Sequence, residues 1–318
     1  MTQYILRRLL LAAFLIFMVA TLVFLMMRLI PGDVVDAMLT EESIVSPEIM
    51  EARRRMLGLD QPIPVQYVNW ISGFVRGDWG ISPYSGRPVL PDIMAGMPRT
   101  LELIISATIL AWLVGIPLGI FVASRHRTWL DYSVTSLGLV ALSTPVFVTG
   151  TLLILIFSLK LRWLPAVSGG YVSFAEDPLK HMQQLILPTV ALGLGMAAIL
   201  MQMTRSSLLE VLQQDYVRTA RAKGLSGRMV YWRHALKNGL IPVVTLGGLQ
   251  MGALLGGTVI IESIFLWPGL STILINAVQH RDYPLVQGTV FVIATFFILI
   301  TLVVDILIAY LDPRIRNR

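Results

Sequence analysis

Long apolar runs separated by short polar ones dominate this chain. Runs near 20 residues, the length that crosses about 30 Å of hydrocarbon, lie at Leu9–Ile30, Leu101–Ala123, Val134–Phe157, Leu185–Thr204, Val243–Phe265 and Leu285–Leu311. They predict an all-α membrane protein with six transmembrane helices. The fourth run is the least continuous, because Pro188 and Gln202 interrupt it. The first is longer than the apolar stretch of a secretory signal, and no small-x-small site follows, so it reads as an anchor. Arg7 and Arg8 before it read as flanking charges rather than an export signal.

The polar segment after the first run, residues 31–100, is too long for a simple connector and has local patterns of its own. "RLIPGD" (28–33) ends the first helix at Pro31 and Gly32. Ser46, Pro47 and Gly58 stand where a cap, a first helical residue and a terminating glycine belong, which predicts a helix over Pro47–Leu57. Pro64 opens a second helix, with Val65, Val68, Ile71, Phe74 and Val75 spaced as one face. Trp70 and Trp79 suit a membrane interface. The segment reads as an external helical subdomain, either a docking platform or a plain lid. The chain therefore divides into an N-terminal transmembrane helix (1–30), the external subdomain (31–100) and a five-helix core (101–318) that includes a loop over 205–242.

Composition agrees with a membrane protein and adds an orientation. The 318 residues are 55% apolar and only 14% charged, with mean hydropathy +0.73, against about 25% charged in a soluble domain. There is no cysteine, which excludes a disulfide framework and a thiolate metal or redox centre. The pI near 9.8 fits the lysines and arginines of inward loops better than nucleic-acid binding. With the N-terminus inside, the inner segments hold 14 basic residues and the two short outer loops hold four. Both termini are thus predicted to be cytoplasmic, as is the 205–242 loop.

Within the apolar runs, Pro117, Pro145 and Pro188 break the backbone ladder, which a bilayer tolerates only where neighbours or water satisfy the freed groups. The fifth run carries Gly248, Gly252 and Gly256 four apart, a spacing that lets helices approach closely. Together with Gln250 and Pro145 these are candidates for a helix seam or a translocation path. Glu102, Glu262 and Asp305 are the ionisable residues near hydrocarbon. They lie near predicted helix ends, where headgroups or water are in reach, and an outer-face structural role is expected for the two glutamates. The four histidines fall on different predicted loops. No metal-ligand spacing, nucleophile elbow, or phosphate-binding glycine loop occurs. The residues thus carry no catalytic cluster of a membrane-embedded enzyme and no site for a cofactor. If ATP drives transport, another chain hydrolyses it.

The stretch "DYVRTARAKGLSGRMVYWRHALKN" (215–238) carries six positive side chains against one acid, Asp215. Leu208, Leu212, Tyr216 and Ala220, four apart, predict an apolar stripe on an amphipathic helix, with Arg218 and Arg221 on its far side. Gly224 suits the left-handed residue just past the helix end. A second short helix over Arg228–Lys237 then climbs to Pro242. The pattern describes a stiff helix along the inner face with a basic outward surface.

This stretch resembles the cytoplasmic coupling loop of the membrane subunits of binding-protein-dependent ABC importers. Matched on Gly224, Arg218–Ala220 stand at the family's Glu-Ala-Ala positions, and Leu236 and Lys237 at its Leu-Pro. "RTARAKG" is similar to the form found in the dipeptide, oligopeptide, nickel and glutathione branch. "RLIPGD", "LGLDQP", "GDWGIS", "STPVF", "LRWLPAVSGG", "LPTVALG", "IESIFLWPGL" and "RDYPLVQG" carry the resemblance over nearly the whole chain, with Val34 where the branch usually has Pro. The resemblance implies a multi-pass permease of a bacterial inner membrane. It implies a homologous second permease, two cytoplasmic ATPases that bind ATP and Mg, and an external solute-binding protein. Asp215, Tyr216, Arg218, Thr219, Ala220, Arg221, Ala222, Lys223 and Gly224 would be the ATPase-coupling residues. Without a cation-binding cluster, a peptide-like solute fits better than nickel; glutathione, opines and oligosaccharides stay open. The alternative, a self-contained secondary carrier or channel, calls for coupling-ion ligands or an inverted repeat, and neither is evident.

Overall fold

The computed structural model describes residues 2–29, 60–165 and 170–311. The helix predicted over Pro47–Leu57 and the stop at Pro31–Gly32 lie outside them. The described helices are α1 (Thr2–Leu29), α2 (Ile63–Val75), α3 (Val89–Ser124), α4 (Trp129–Ser143), α5 (Val146–Leu153), α6 (Pro178–Val211), α7 (Asp215–Ala222), α8 (Gly227–Phe265), α9 (Leu270–Gln279) and α10 (Tyr283–Leu311). α5 continues as a π-helical turn over Ile154–Lys160, and α8 contains another over Val230–Ala235.

Five helices, α1, α3, α6, α8 and α10, are long and apolar enough to span a membrane, and the bent pair α4–α5 supplies a sixth candidate. The third predicted span is thus not one rod. Thr144 leaves the helix in an extended conformation and Pro145 caps α5, so the two halves meet at 103°. The span whose apolar run is least continuous is the most enclosed. In its most apolar window 72% of α6 is buried, against 11% for α10. Protein neighbours rather than lipid surround α6, which is why Pro188 and Gln202 are tolerated there. α3 starts at Val89, well before the expected Leu101, so the segment read as loop up to residue 100 already contains helix.

The chain forms two compact units, Arg7–Arg99 with Pro268–Leu299, and Thr100–Trp267 with the residues through Leu6 and from Ile300. This grouping differs from the division at residues 30 and 100, since the first unit takes in a segment from near the C-terminus.

In the first unit, the packed face of α2 is aromatic. Phe24 of α1 meets Tyr67 at 5.2 Å, and Phe74 stacks on Trp79 at 4.1 Å and meets Phe291 edge-on at 4.6 Å. The face predicted from Val65 to Val75 is split. Phe74 is buried, but Val68 and Val75 are 60% and 81% exposed, because the larger area of Tyr67, Trp70 and Phe74 wins the contact. Trp79 is held in this cluster, its Nε1 donating to the Phe74 carbonyl at 3.1 Å.

"GDWGIS" and "RDYPLVQG", 200 residues apart, meet here. Gly80 is left-handed (φ 87°), and a Cβ added there would stand 3.6 Å from the Pro284 side chain. The Ser82 hydroxyl donates to the buried Asp282 carboxylate, which also caps α10 by accepting from Leu285 N at 3.2 Å. Burial pushes the Asp282 carboxyl above its ordinary range, and Asp92 adds to the rise; Ser82, Leu285 and His280 oppose it. The folded state therefore holds this proton more tightly than the unfolded one. Its contribution is present below the unfolded carboxylate pKa, about 3.9, and is lost as pH rises through the folded value. Asp282→Asn keeps a capping oxygen and removes the titration. Thermal unfolding in detergent should show wild type losing stability relative to the variant as pH rises from about 4; parallel profiles would refute the assignment.

In the second unit, α6 is the axis. A Cβ added to Gly115 or Gly119 of α3 would lie 2.4 Å from Ala197 O and 2.5 Å from Thr204 Cβ of α6. Such approaches are possible only for glycine. The buried ionisable groups are paired. Thr100 Oγ1 donates to Glu262 Oε1 at 2.6 Å, and Glu262 is 0% exposed, so it is an interior residue and not one reaching for headgroups. His181, expected on a loop, is buried in the first turns of α6, with Nε2 2.6 Å from Glu102 Oε1. Its Nδ1 faces Val172 O at 2.8 Å, and Gln184 bonds both Val172 N and Gly170 O. These two side chains fasten the segment before α6 onto that helix.

Candidate coupling module and intramembrane groove

α6 ends at Val211, and a turn over Leu212–Gln214 rephases the chain before α7. Of the stripe expected from Leu208, Leu212, Tyr216 and Ala220, Leu208 and Ala220 are buried and Leu212 packs beside them, while Val217 takes the inward place expected for Tyr216. Val217 and Ala220 point inward, forming a small core with Val230 and flanked by Val211, Leu212 and Leu225. Tyr216 is 42% exposed, and its hydroxyl accepts from Asn238 Nδ2 at 3.0 Å, tying α7 to α8. Asp215, Arg218, Thr219, Arg221, Ala222, Lys223 and Gly224 are exposed. Asp215 sits in the first turn and Arg221 in the last, the order that favours the helix dipole.

The end of α7 follows the sequence expectation. Gly224 is left-handed (φ 79°), Gly224 N donates to Arg221 O at 3.0 Å and Leu225 N to Ala220 O at 3.3 Å. This is a Schellman closure, with Leu225 packed back onto the Val217–Ala220 core. Beyond it the chain does not form a separate short helix. α8 runs unbroken from Gly227, with Ser226 capping Met229 N. Ser207 Oγ donates to Gly239 O at 2.8 Å and Tyr231 OH to Ile120 O at 2.9 Å, so α6, α8 and α3 all hold the module.

Close to it lies an ionic clamp that sequence reasoning missed. Asp131, 1% exposed, accepts from Arg205 Nε at 2.6 Å and Nη2 at 2.9 Å, and from Arg127 N at 3.0 Å. His126 Nδ1 stands 3.3 Å away. Arg127 takes a left-handed conformation (φ 64°) to aim its N–H at the carboxylate. The signal was present as Thr128-x-x-Asp131 before an apolar run, a capping-box spacing; Thr128 Oγ1 caps Asp131 N at 3.4 Å.

The path candidates separate into two sets. Gly248 packs on Val304, where an added Cβ would lie 2.6 Å from Cγ1, and Gly252 is buried, so both serve a seam within this chain. Gly256 is exposed, with no atom within 4 Å of an added Cβ. Gln250 lines a cavity of about 290 Å³ beside Thr144 and Thr149, and Pro145 marks the bend at its rim. A second cavity of about 420 Å³, lined by Thr135, Gln202, Arg205 and Ser206, shares Ile199 with the first.

Comparison with known proteins accords with this arrangement. Residues 115–317 match the family "Binding-protein-dependent transport system inner membrane component", and residues 1–104 match the N-terminal region of such membrane components. The chain is 40% identical over 318 residues to the glutathione transport system permease protein GsiC of Escherichia coli (strain K12), covering 100% of both. It is 40% identical over 322 residues to a protein of Brucella suis biovar 1 (strain 1330) named as a candidate peptide permease, covering 99% of each. A chain of the MetNI methionine ABC transporter, solved in inward-facing conformations, shares the fold at TM-score 0.54 and 17% identity, over 69% of this chain and 96% of that one. The chain belongs to the binding-protein-dependent transport system inner membrane component family, and is a multi-pass permease subunit of an ABC importer.

Proposed function

We propose that α7, from Asp215 to Gly224, is the surface through which a separate ATPase drives this permease. The supporting observation is an exposed, basic, sharply terminated helix whose other face is packed on the membrane helices. In this reading both termini and α7 face the cytoplasm. Two ATPase subunits bind ATP and Mg, a homologous permease completes the pathway, and an external receptor delivers the solute. Exposed ion pairs contribute little, so shape at α7 and its elbow dominates docking. A peptide-like solute, glutathione or a short peptide, is the best reading of the relatives' names and of walls that offer neutral hydrogen-bonding groups. Calorimetry of the receptor with glutathione and with di- and tripeptides tests this part directly.

Gly224 provides the coupling test. A Cβ there meets nothing within 4 Å among the described residues, so Gly224→Leu adds chiefly the left-handed backbone penalty of about 1–2 kcal/mol and projects a side chain into the docking space. In reconstituted complexes ATP hydrolysis should persist while uptake falls by about tenfold or more, an effect near 1.4 kcal/mol. Normal uptake at normal amounts of protein would remove α7 from the coupling role.

A further inference from the structure

We propose that Gln202 and Gln250 are solute-contacting residues of this subunit, meeting the amide and carboxylate groups of a peptide-like solute along one polar-flecked groove; the substrate class rests on the function proposed above. Ile199 lines both cavities. Their walls come from α6 and α8, completed by residues of α4 and α5. Within them, Gly195, Ile199, Gln202 and Ser206 of α6 and Leu246, Gln250, Ala253 and Gly257 of α8 form two rows. Steps of three and four keep each set on one side of its helix. From Ala191 to Ser206 the groove follows α6 for about 22 Å at ~1.5 Å per residue.

Three features separate this groove from an ordinary packing defect. First, the Gln202 side-chain nitrogen is buried with no hydrogen-bond partner among the described residues. Trp112 Nε1, Gln287 Nε2 and Thr295 Oγ1 share that state, but of the four only Gln202 lines either of these cavities; a buried donor without a partner is costly and is met by water or by a group from outside the chain. Second, Gly195 is unlike the seam glycines. Added Cβ atoms at Gly115, Gly119, Gly138, Gly193 and Gly239 would all fall within 3 Å of a neighbour, whereas one at Gly195 meets nothing within 4 Å. The packing of this chain does not require glycine there, and the groove wall is left low. Third, the charge at the α7 end is already matched, since Arg205 is committed to Asp131. The wall therefore offers amides and hydroxyls that both donate and accept, the complement of peptide groups. Neutral contacts of this kind also release a solute readily, as a path requires.

The test uses the whole complex of permeases, ATPase and receptor in proteoliposomes. Gln202→Leu and Gln250→Leu should each raise the KM for radiolabelled glutathione or trialanine about tenfold, with receptor-stimulated ATP hydrolysis retained, and Gln202→Asn should recover part of the loss. Because this chain has no cysteine, Gln202→Cys and Gln250→Cys can be probed with a charged methanethiosulfonate in complexes whose other chains are cysteine-free. Both should react at least tenfold faster than Leu249→Cys, a residue outside both cavity linings. Their rates should also differ between nucleotide-free and vanadate-trapped states. Unchanged KM in both leucine variants, or two unreactive cysteines in both states, overturns the assignment. A wild-type complex that moves neither probe overturns the peptide-like reading instead.

Discussion

Arg205→Ala should destabilise the protein by about 3–5 kcal/mol, the loss typical when one partner of a buried ion pair is removed. The size follows from what is left behind. Asp131 is 1% exposed, and without the guanidinium its charge keeps only Arg127 N, the distant His126 and the weak Thr135 contact at 3.4 Å. Arg205→Lys retains the charge but not the two-pronged geometry and should fall between. Asp131→Ala with Arg205→Ala should cost much less than the two single losses added, because no buried charge is stranded. Denaturation of purified protein in detergent, read as a double-mutant cycle, checks this. A single Arg205→Ala variant within about 0.5 kcal/mol of wild type would show the clamp to be a surface ornament.

The second large effect lies where α3 crosses α6. A Cβ at Gly119 would stand 2.6 Å from Met201 O as well as 2.5 Å from Thr204 Cβ, and one at Gly115 would stand 2.4 Å from Ala197 O. The obstacles are backbone oxygens, which no rotamer change relieves. Gly115→Ala or Gly119→Ala should therefore cost about 1–3 kcal/mol from overpacking. The double leucine variant should fail to accumulate as folded protein in the membrane. Gly195→Ala is the contrast. With open space around it, the change should be neutral or stabilise the helix by up to about 1 kcal/mol. Thermal unfolding of the three alanine variants checks the pattern, and equal shifts at all three sites would refute the close-packing account.

Much of this fold was legible because bilayer physics is coarse. Apolar runs located α1, α3, α6, α8 and α10, and Gly224 announced the end of α7 because the left-handed conformation nearly demands it. Phase was harder. The stripe through Tyr216 assumed an unbroken helix from α6, and a three-residue turn moved Val217 into the core instead. Within "GIPLG", Pro117 drew the eye, while the two glycines four apart made the closest contact with α6. Long-range pairs were out of reach. Nothing local to Asp131 or Glu102 points to Arg205 or His181, which lie 74 and 79 residues away. The groove was legible only at Gln250. Gln202 looked like an interruption of a span, and its meaning depends on which neighbours fail to satisfy it.

α8 begins beside the Gly224 elbow and ends near the buried Glu262–Thr100 contact, 39 residues in one continuous helix. Such a shaft is about 58 Å long at ~1.5 Å per residue. Pivoting it by some 5° about one tip would sweep the opposite tip through about 5 Å, close to one turn of helix. A small change of tilt at the Gly227 end is thus enlarged at the Phe265 end of the same helix.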